Sequence, residues 1–158
     1  MIEPLFQDVF LRKSSLSFHN DVNILQMNGL QLTQQAYNKV TGVQVVEVFR
    51  DEKRLEVKSY ACFFRLQCGI RLLDQAEQTD EKVFFEILVE HDVVFDSLHQ
   101  LEIKQLEDFS SSDKITNAAW PYWKEHVASM CSKVGLNSLI VPPPQKNDPI
   151  KITGHRQL

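Results

Sequence analysis

Two cysteines six residues apart, Cys62 and Cys68, are the first candidates for a chemical site, because paired thiolates are frequent zinc ligands. They lie in a stretch where apolar residues recur at every second position, as in a β-strand. Six residues along a strand span about 20 Å, so one ion cannot bind both thiols. With Cys131 the cysteines are odd in number and surrounded by apolar sequence. This favours buried free thiols in a reducing, cytoplasmic compartment and predicts no metal site.

A second candidate consists of His91 and His99 with Asp92 and Asp96 between them, a set able in principle to bind a metal ion or transfer protons. No cysteine or further histidine is spaced to complete a metal site, so the edge of a strand is the preferred interpretation.

The carboxylates of Glu86 and Glu90 share one face of a predicted strand, which superficially resembles an acid–base pair. Their separation of about 13 Å is too wide even for an inverting glycosidase. The sequence also contains no Gly-x-Ser-x-Gly, no Walker A loop and no Gly-x-Gly-x-x-Gly. We therefore predict that the protein is not an enzyme and that it needs no cofactor.

Length and charge exclude further classes of function. The 158 residues suffice for one domain, which buries about 70% of its unfolded surface. The formal net charge is -4 with both signs interspersed, so no basic stripe is present and a nucleic-acid partner is not expected. The sequence begins without a basic and apolar leader, and no window approaches the roughly 20 apolar residues of a membrane span. We expect a cytoplasmic protein that is neither exported nor inserted in a membrane.

Long alternating patterns predict the elements that must position any site. Tyr60 to Leu72 and Phe85 to Phe95 each alternate apolar and more polar residues, which predicts an antiparallel hairpin with one wet face. Shorter strands are predicted at Val43 to Arg50 and Leu55 to Lys58, and a first strand at Ser15 to His19. The segment from Val22 to Val40 fits neither the strand nor the helix period, so we interpret it as a crossover.

One helix is indicated by apolar residues at i, i+4, i+7, i+8 and i+11, namely Trp123, Val127, Met130, Cys131 and Val134. Pro121 either begins this helix or kinks a longer one that starts near Asp113. Gly135 is a natural end. Beyond Pro144 the sequence predicts a loose tail over residues 145–158.

The stretch from Trp120 to Pro143 resembles the signature of SecB-type chaperones. Its aromatic-Pro-Tyr start is Trp120-Pro121-Tyr122, and its alternating apolar end is Leu139-Ile140-Val141 followed by prolines. Arg12 to Phe18 is similar to the first strand of that family. The resemblance implies an α+β domain over residues 1–144, with a four-stranded antiparallel sheet and one long helix packed on one face. It also implies a homotetramer, built as a dimer of dimers, that works as an ATP-independent holdase for unfolded client polypeptides, with protein export as a candidate process.

Two departures from the family pattern modify these expectations. Ser15 and His19 replace the acidic residues of the first strand that help to dock the motor protein SecA, which argues against delivery to SecA. Residues 145–150 replace the family's second helix, so that helix is expected to be absent. Divergent members of this kind include chaperones dedicated to one partner, such as an antitoxin, and this is the alternative function. An adaptor with a fixed protein interface is a further alternative.

Apolar residues beside the predicted helix are the candidates for client binding. Each is equally compatible with a place in the core or in a subunit interface. They are Leu25, Met27, Leu30 and Leu32 in the predicted crossover, with Trp120, Leu139 and Val141.

Overall fold

Four long strands form one antiparallel sheet with helices packed on one face, as predicted. The computed structural model describes residues 3–19, 22–27, 30–54, 56–74, 83–137 and 139–152. The strand order across the sheet is β1-β4-β3-β2. The elements in chain order are β1 (Leu5–Phe18), α1 (Ile24–Met27), β2 (Leu32–Phe49), β3 (Val57–Asp74), β4 (Val83–Ser97), α2 (Ile103–Ser110) and α3 (Asp113–Val134).

The central hairpin of β3 and β4 has the register that the alternating patterns predict. Phe64 lies opposite Val93 and Cys68 lies opposite Val89, and all four side chains are buried. Helix α3 packs over this face with a row of buried side chains at helical spacing: Ile115, Thr116, Ala119, Trp123, Val127 and Cys131. The predicted hydrophobic faces of strand and helix therefore meet in one core.

The opposite face of the sheet carries polar and apolar side chains together. Asp92 accepts a hydrogen bond from Arg12 at 2.9 Å and lies 3.6 Å from Arg65, which links three neighbouring strands. Tyr37 crosses over Gly69, where the missing side chain leaves room for the aromatic ring. The alternation of polar and apolar residues on this face is as predicted, but over most of β3 and in β4 its side chains are half-buried or buried, so the face is less wet than predicted.

Two strands are longer than the sequence indicates. β1 begins at Leu5, ten residues before the predicted start at Ser15, and β2 begins at Leu32. The interpretation of Val22 to Val40 as a crossover is therefore wrong for its second half, while its first half contains the short helix α1. The alternation in β2 is broken because two residues on its helix-side face are polar, Gln34 and Asn38.

Helix α3 is the longer of the two predicted forms, since it starts at Asp113 and contains Pro121 in its interior. Gly135 ends it with a left-handed φ of 76°, and the amide of Leu136 donates to the carbonyl of Cys131 at 3.0 Å. Helix α2 was not predicted. Only two of its eight residues, Leu106 and Ser110, are buried. In the described part of the chain, no helix has the length and hydropathy needed to cross a membrane.

The C-terminal segment (residues 139–152) is extended and contains neither helix nor strand. The predicted absence of a second helix after α3 thus holds for the residues described up to 152. The division into a domain of residues 1–144 and a loose tail stays a prediction. Residues 145–152 nevertheless contact the rest of the fold, with Asn147 buried and Ile150 and Ile152 packed against the core.

Candidate polypeptide-binding groove

The C-terminal segment lies in a groove between the helix-side face of β2 and the helices α2 and α3. Two side chains from opposite walls bind its first half. Gln34 Nε2 of β2 donates to the carbonyl of Ile140 at 2.6 Å, and Trp120 Nε1 of α3 donates to the carbonyl of Pro142 at 2.9 Å. The segment is therefore bound from the strand and from the helix within three residues.

The second half of the segment is bound in the same manner. Asn38 Nδ2 donates to the carbonyl of Gln145 at 3.1 Å and to Oδ1 of Asn147 at 2.8 Å. From helix α2, Ser110 Oγ accepts from the amide of Ile150 at 3.1 Å, and the Glu107 carboxylate accepts from the amide of Ile152 at 2.8 Å. These positions set the direction and extension of the segment up to its last described residue.

Five of these hydrogen bonds join a groove side chain to the backbone of the segment. Every residue offers a backbone carbonyl, and every residue except proline offers an amide, so such bonds recognise an extended chain without reading its sequence. Apolar side chains at alternate positions of an extended chain can then fill pockets on the groove floor. The arrangement is suited to binding polypeptide.

The groove is filled in this conformation. Val141 is buried, and the space left between Trp120, Trp123 and the proline run is about 30 Å³, room for no more than about two water molecules. Lys124 lies with its Nζ 5.0 Å from the centre of the Trp120 ring, which places a cation beside the aromatic wall. An additional peptide at this position would have to replace part of the segment.

Three of the predicted client-binding residues meet here, since Trp120, Leu139 and Val141 lie within the segment or contact it. Leu32, at the start of β2, packs against the core, and Met27 is only 3% exposed and belongs to the core. The two others predicted, Leu25 and Leu30, are exposed around α1, Leu25 at 79%. None of the four from the predicted crossover lines the remaining cavity.

The polar residues that bind the segment were missed by sequence reasoning. The available signal was the spacing of Gln34 and Asn38, which are four residues apart and so share a strand face with buried apolar neighbours. Ser110 and Glu107 belong to the helix that was not predicted. No pattern in the sequence marks those two residues.

A second cleft, of about 270 Å³, lies between the outer strand β1 and helix α3. Ser14 Oγ and His126 Nε2 share a hydrogen bond of 2.7 Å beside it. Burial and the charge of Lys133 lower the pKa of His126, and burial together with His126 lowers the pKa of His91 to about 4. Both imidazoles are therefore neutral at pH 7, in a cleft that joins the edge of the sheet to the helix.

All three cysteines are buried and free, and two of them, Cys62 and Cys68, lie on the core face of β3. Burial raises the pKa of Cys62 to about 11 and that of Cys68 to about 12, so both are thiols at neutral pH and poor nucleophiles or ligands. Among the described residues there is no group of three or more His, Cys, Asp or Glu able to hold a metal ion.

Comparison with known proteins bears on the fold. No protein-family model matches the sequence, and no curated protein is similar to it in sequence. The structure is similar to that of the SecB-like chaperone Rv1957 of Mycobacterium tuberculosis, solved in complex with a ChAD peptide from the HigA1 antitoxin Rv1956. The TM-score is 0.56 at 16% sequence identity, over 98% of this chain and 93% of that chain. The predicted SecB-like fold is thereby confirmed.

Proposed function

We propose that the protein is an ATP-independent chaperone that binds extended, non-native polypeptide in the groove between β2 and the helices α2 and α3. The observation that carries this proposal is the set of five hydrogen bonds between groove side chains and the backbone of an extended segment, three donated by the side chains and two accepted by them. Backbone recognition suits a holdase, because its clients share no sequence but all expose backbone and apolar side chains.

Exposed apolar residues supply the second requirement of a holdase. Leu25 on α1 is 79% exposed and Ile140 in the C-terminal segment is 82% exposed, and Leu30 is exposed as well. Charged residues of both signs are interspersed along most of the rest of the sequence, which keeps the protein dissolved while apolar surface is available. In this proposal, the client contacts are made by Leu25, Leu30 and Leu32 together with Trp120 and Leu139, whereas the buried Met27 and Val141 support them from the core.

A dedicated chaperone for one partner is the second candidate. The structurally similar Rv1957 is bound to a peptide from an antitoxin, and this chain carries Ser15 and His19 in place of the acidic residues of the export family. A disordered antitoxin segment would enter the same groove by the same backbone bonds. The proposal further includes a cytoplasmic homotetramer without catalytic activity or cofactor. Delivery to SecA is not part of it, because Ser15 and His19 stand where the export family has acidic docking residues.

Suppression of aggregation tests the proposal. The purified protein without nucleotide should reduce the light scattering of several unrelated unfolded proteins, and native mass spectrometry should report a tetramer. Leu25→Ser should weaken suppression, whereas Leu98→Ser, a matched change at another exposed leucine, should leave it unchanged. Binding of a single native partner with no effect on any unfolded protein would favour the adaptor alternative and contradict a holdase. Suppression limited to one antitoxin would favour the dedicated chaperone.

A further inference from the structure

We propose that residues 145–152 are an intramolecular occupant of the client groove, which an extended, aliphatic-rich client segment displaces. The inference rests on the proposed function and adds the regulation of its site. It starts from a difference between the two halves of the C-terminal segment.

The first half is firmly held. Val141 is buried, the stiff run Pro142-Pro143-Pro144 follows it, and hydrogen bonds from Gln34 and Trp120 join it to both walls. This half has the properties of a permanent part of the fold.

The second half makes more hydrogen bonds than the first but buries less apolar surface, since no apolar residue in it is fully buried. Its exposed residues are Gln145, Lys146, Asp148, Pro149 and Lys151. Only Asn147 is buried, while Ile150 and Ile152 are half-buried. The other contacts are hydrogen bonds donated by Asn38 and accepted by Ser110 and Glu107. Few buried apolar contacts, with hydrogen bonds that are exposed or only partly buried, are the marks of a segment that opens at low cost.

Release of this half would uncover a surface that fits another extended chain. Asn38 offers a donor, while Ser110 Oγ and the Glu107 carboxylate offer acceptors at positions already spaced for an extended backbone. Ile150 and Ile152 are two residues apart, so their side chains lie on one face of the extended segment and mark where client side chains would sit. The client chemistry follows: an extended stretch with aliphatic residues at alternate positions and no acidic side chain next to Glu107.

An attached competitor lowers the apparent affinity for every client. The observed dissociation constant is the intrinsic constant divided by the fraction of molecules whose groove is open. A short tether gives the segment a local concentration in the millimolar range, so weak clients are excluded and strong ones enter. Without a client, the segment also covers the apolar groove floor.

The test measures binding of reduced, carboxymethylated and fluorescein-labelled α-lactalbumin, which stays unfolded, by fluorescence anisotropy without nucleotide. Deletion of residues 145–158 should lower the dissociation constant by about tenfold or more, because the competitor is removed. Deletion of residues 153–158 is the matched control and should leave it within about twofold, since it removes none of the named contacts. A synthetic peptide of residues 143–152 should bind the truncated protein and compete with the labelled probe.

Substitutions in the full-length chain test the same inference without depending on correct folding of the truncated protein. Ile150→Ala with Ile152→Ala should tighten binding severalfold, whereas Lys151→Ala, an exposed side chain between them, should not change it. If the wild type binds the probe and neither the truncation nor the double variant binds it more tightly, the inference is overturned and the proposed function stands. If no form binds the unfolded probe, the proposed function falls, and the inference falls with it.

Discussion

Acidification should destabilise this protein through one buried histidine. His91 on β4 is only 3% exposed, it faces the helix side of the sheet opposite Leu66, and its Nδ1 has no hydrogen-bond partner among the described residues. Burial and the neighbouring His126 lower its pKa to about 4, against an ordinary value of 6.5. In the unfolded chain the imidazole takes up a proton near pH 6.5. In the folded protein it stays neutral to a much lower pH.

The sign of the effect follows from proton binding. Between pH 6.5 and pH 4 the unfolded chain holds the proton at His91 and the folded protein does not, so lower pH favours unfolding. The free energy of unfolding therefore has its full value, as far as His91 is concerned, above about pH 6.5, and it decreases as the pH falls towards 4. With a pKa of about 4 in the folded protein and 6.5 in the unfolded chain, the free energy of unfolding at pH 5 is about 2 kcal/mol lower than at pH 8.

Urea unfolding at pH 8 and pH 5, at fixed protein concentration, measures this loss. Replacing the histidine by a neutral amide in His91→Gln should reduce the pH-dependent loss of unfolding free energy by about 2 kcal/mol, whatever the variant costs at pH 8. Carboxylates titrate equally in both proteins and cancel in the comparison. His99→Gln, at an exposed histidine, is the control and should behave as wild type. Equal losses in wild type and His91→Gln would refute the assignment of the buried neutral state.

Three further substitutions test local features by thermal or urea unfolding. Gly69→Ala should destabilise by about 1–2 kcal/mol because its Cβ would overlap the Tyr37 ring, and a Tyr37→Ala background should remove most of that cost. Gly135→Ala should cost about 1 kcal/mol at its left-handed φ, whereas Gly42→Ala, with open space and no such φ, should stay within about 0.5 kcal/mol. Trp120→Phe should cost about 1 kcal/mol through loss of the hydrogen bond to the segment's carbonyl, and an unchanged stability would show that this bond contributes nothing.

The central hairpin could be predicted because its core face is uninterrupted. From Cys62 to Leu72 every second residue is apolar and buried, so the period alone determines both the strand and its inner face. Helix α3 was predictable in its second half for the same reason. Its first half was left open by Pro121, since a proline is compatible with the start of a helix and with an interior position.

The groove could not be predicted from the sequence to the same degree. Its apolar members, Trp120 and Val141, follow from the resemblance to a family, but that resemblance names no hydrogen bond. Ser110 reaches the segment only because α2 packs beside the sheet, with Phe109 against Phe64 and Phe95, and α2 buries only two of its eight residues. A contact between residues forty positions apart, such as Ser110 with Ile150, depends on packing that no local pattern records.

The failure at β2 and the proposed binding function have one physical cause. A face that only builds a core is apolar at every second position, and its strand is visible in the sequence. A face that must bind the backbone of another chain needs donors directed into an apolar groove, because an unpaired backbone carbonyl is costly to bury. Gln34 and Asn38 provide those donors, and in doing so they interrupt the alternation. A strand whose inner face carries amides at i and i+4 between buried or half-buried apolar residues is therefore a place to look for peptide binding, in sequences where the strand itself is hard to detect.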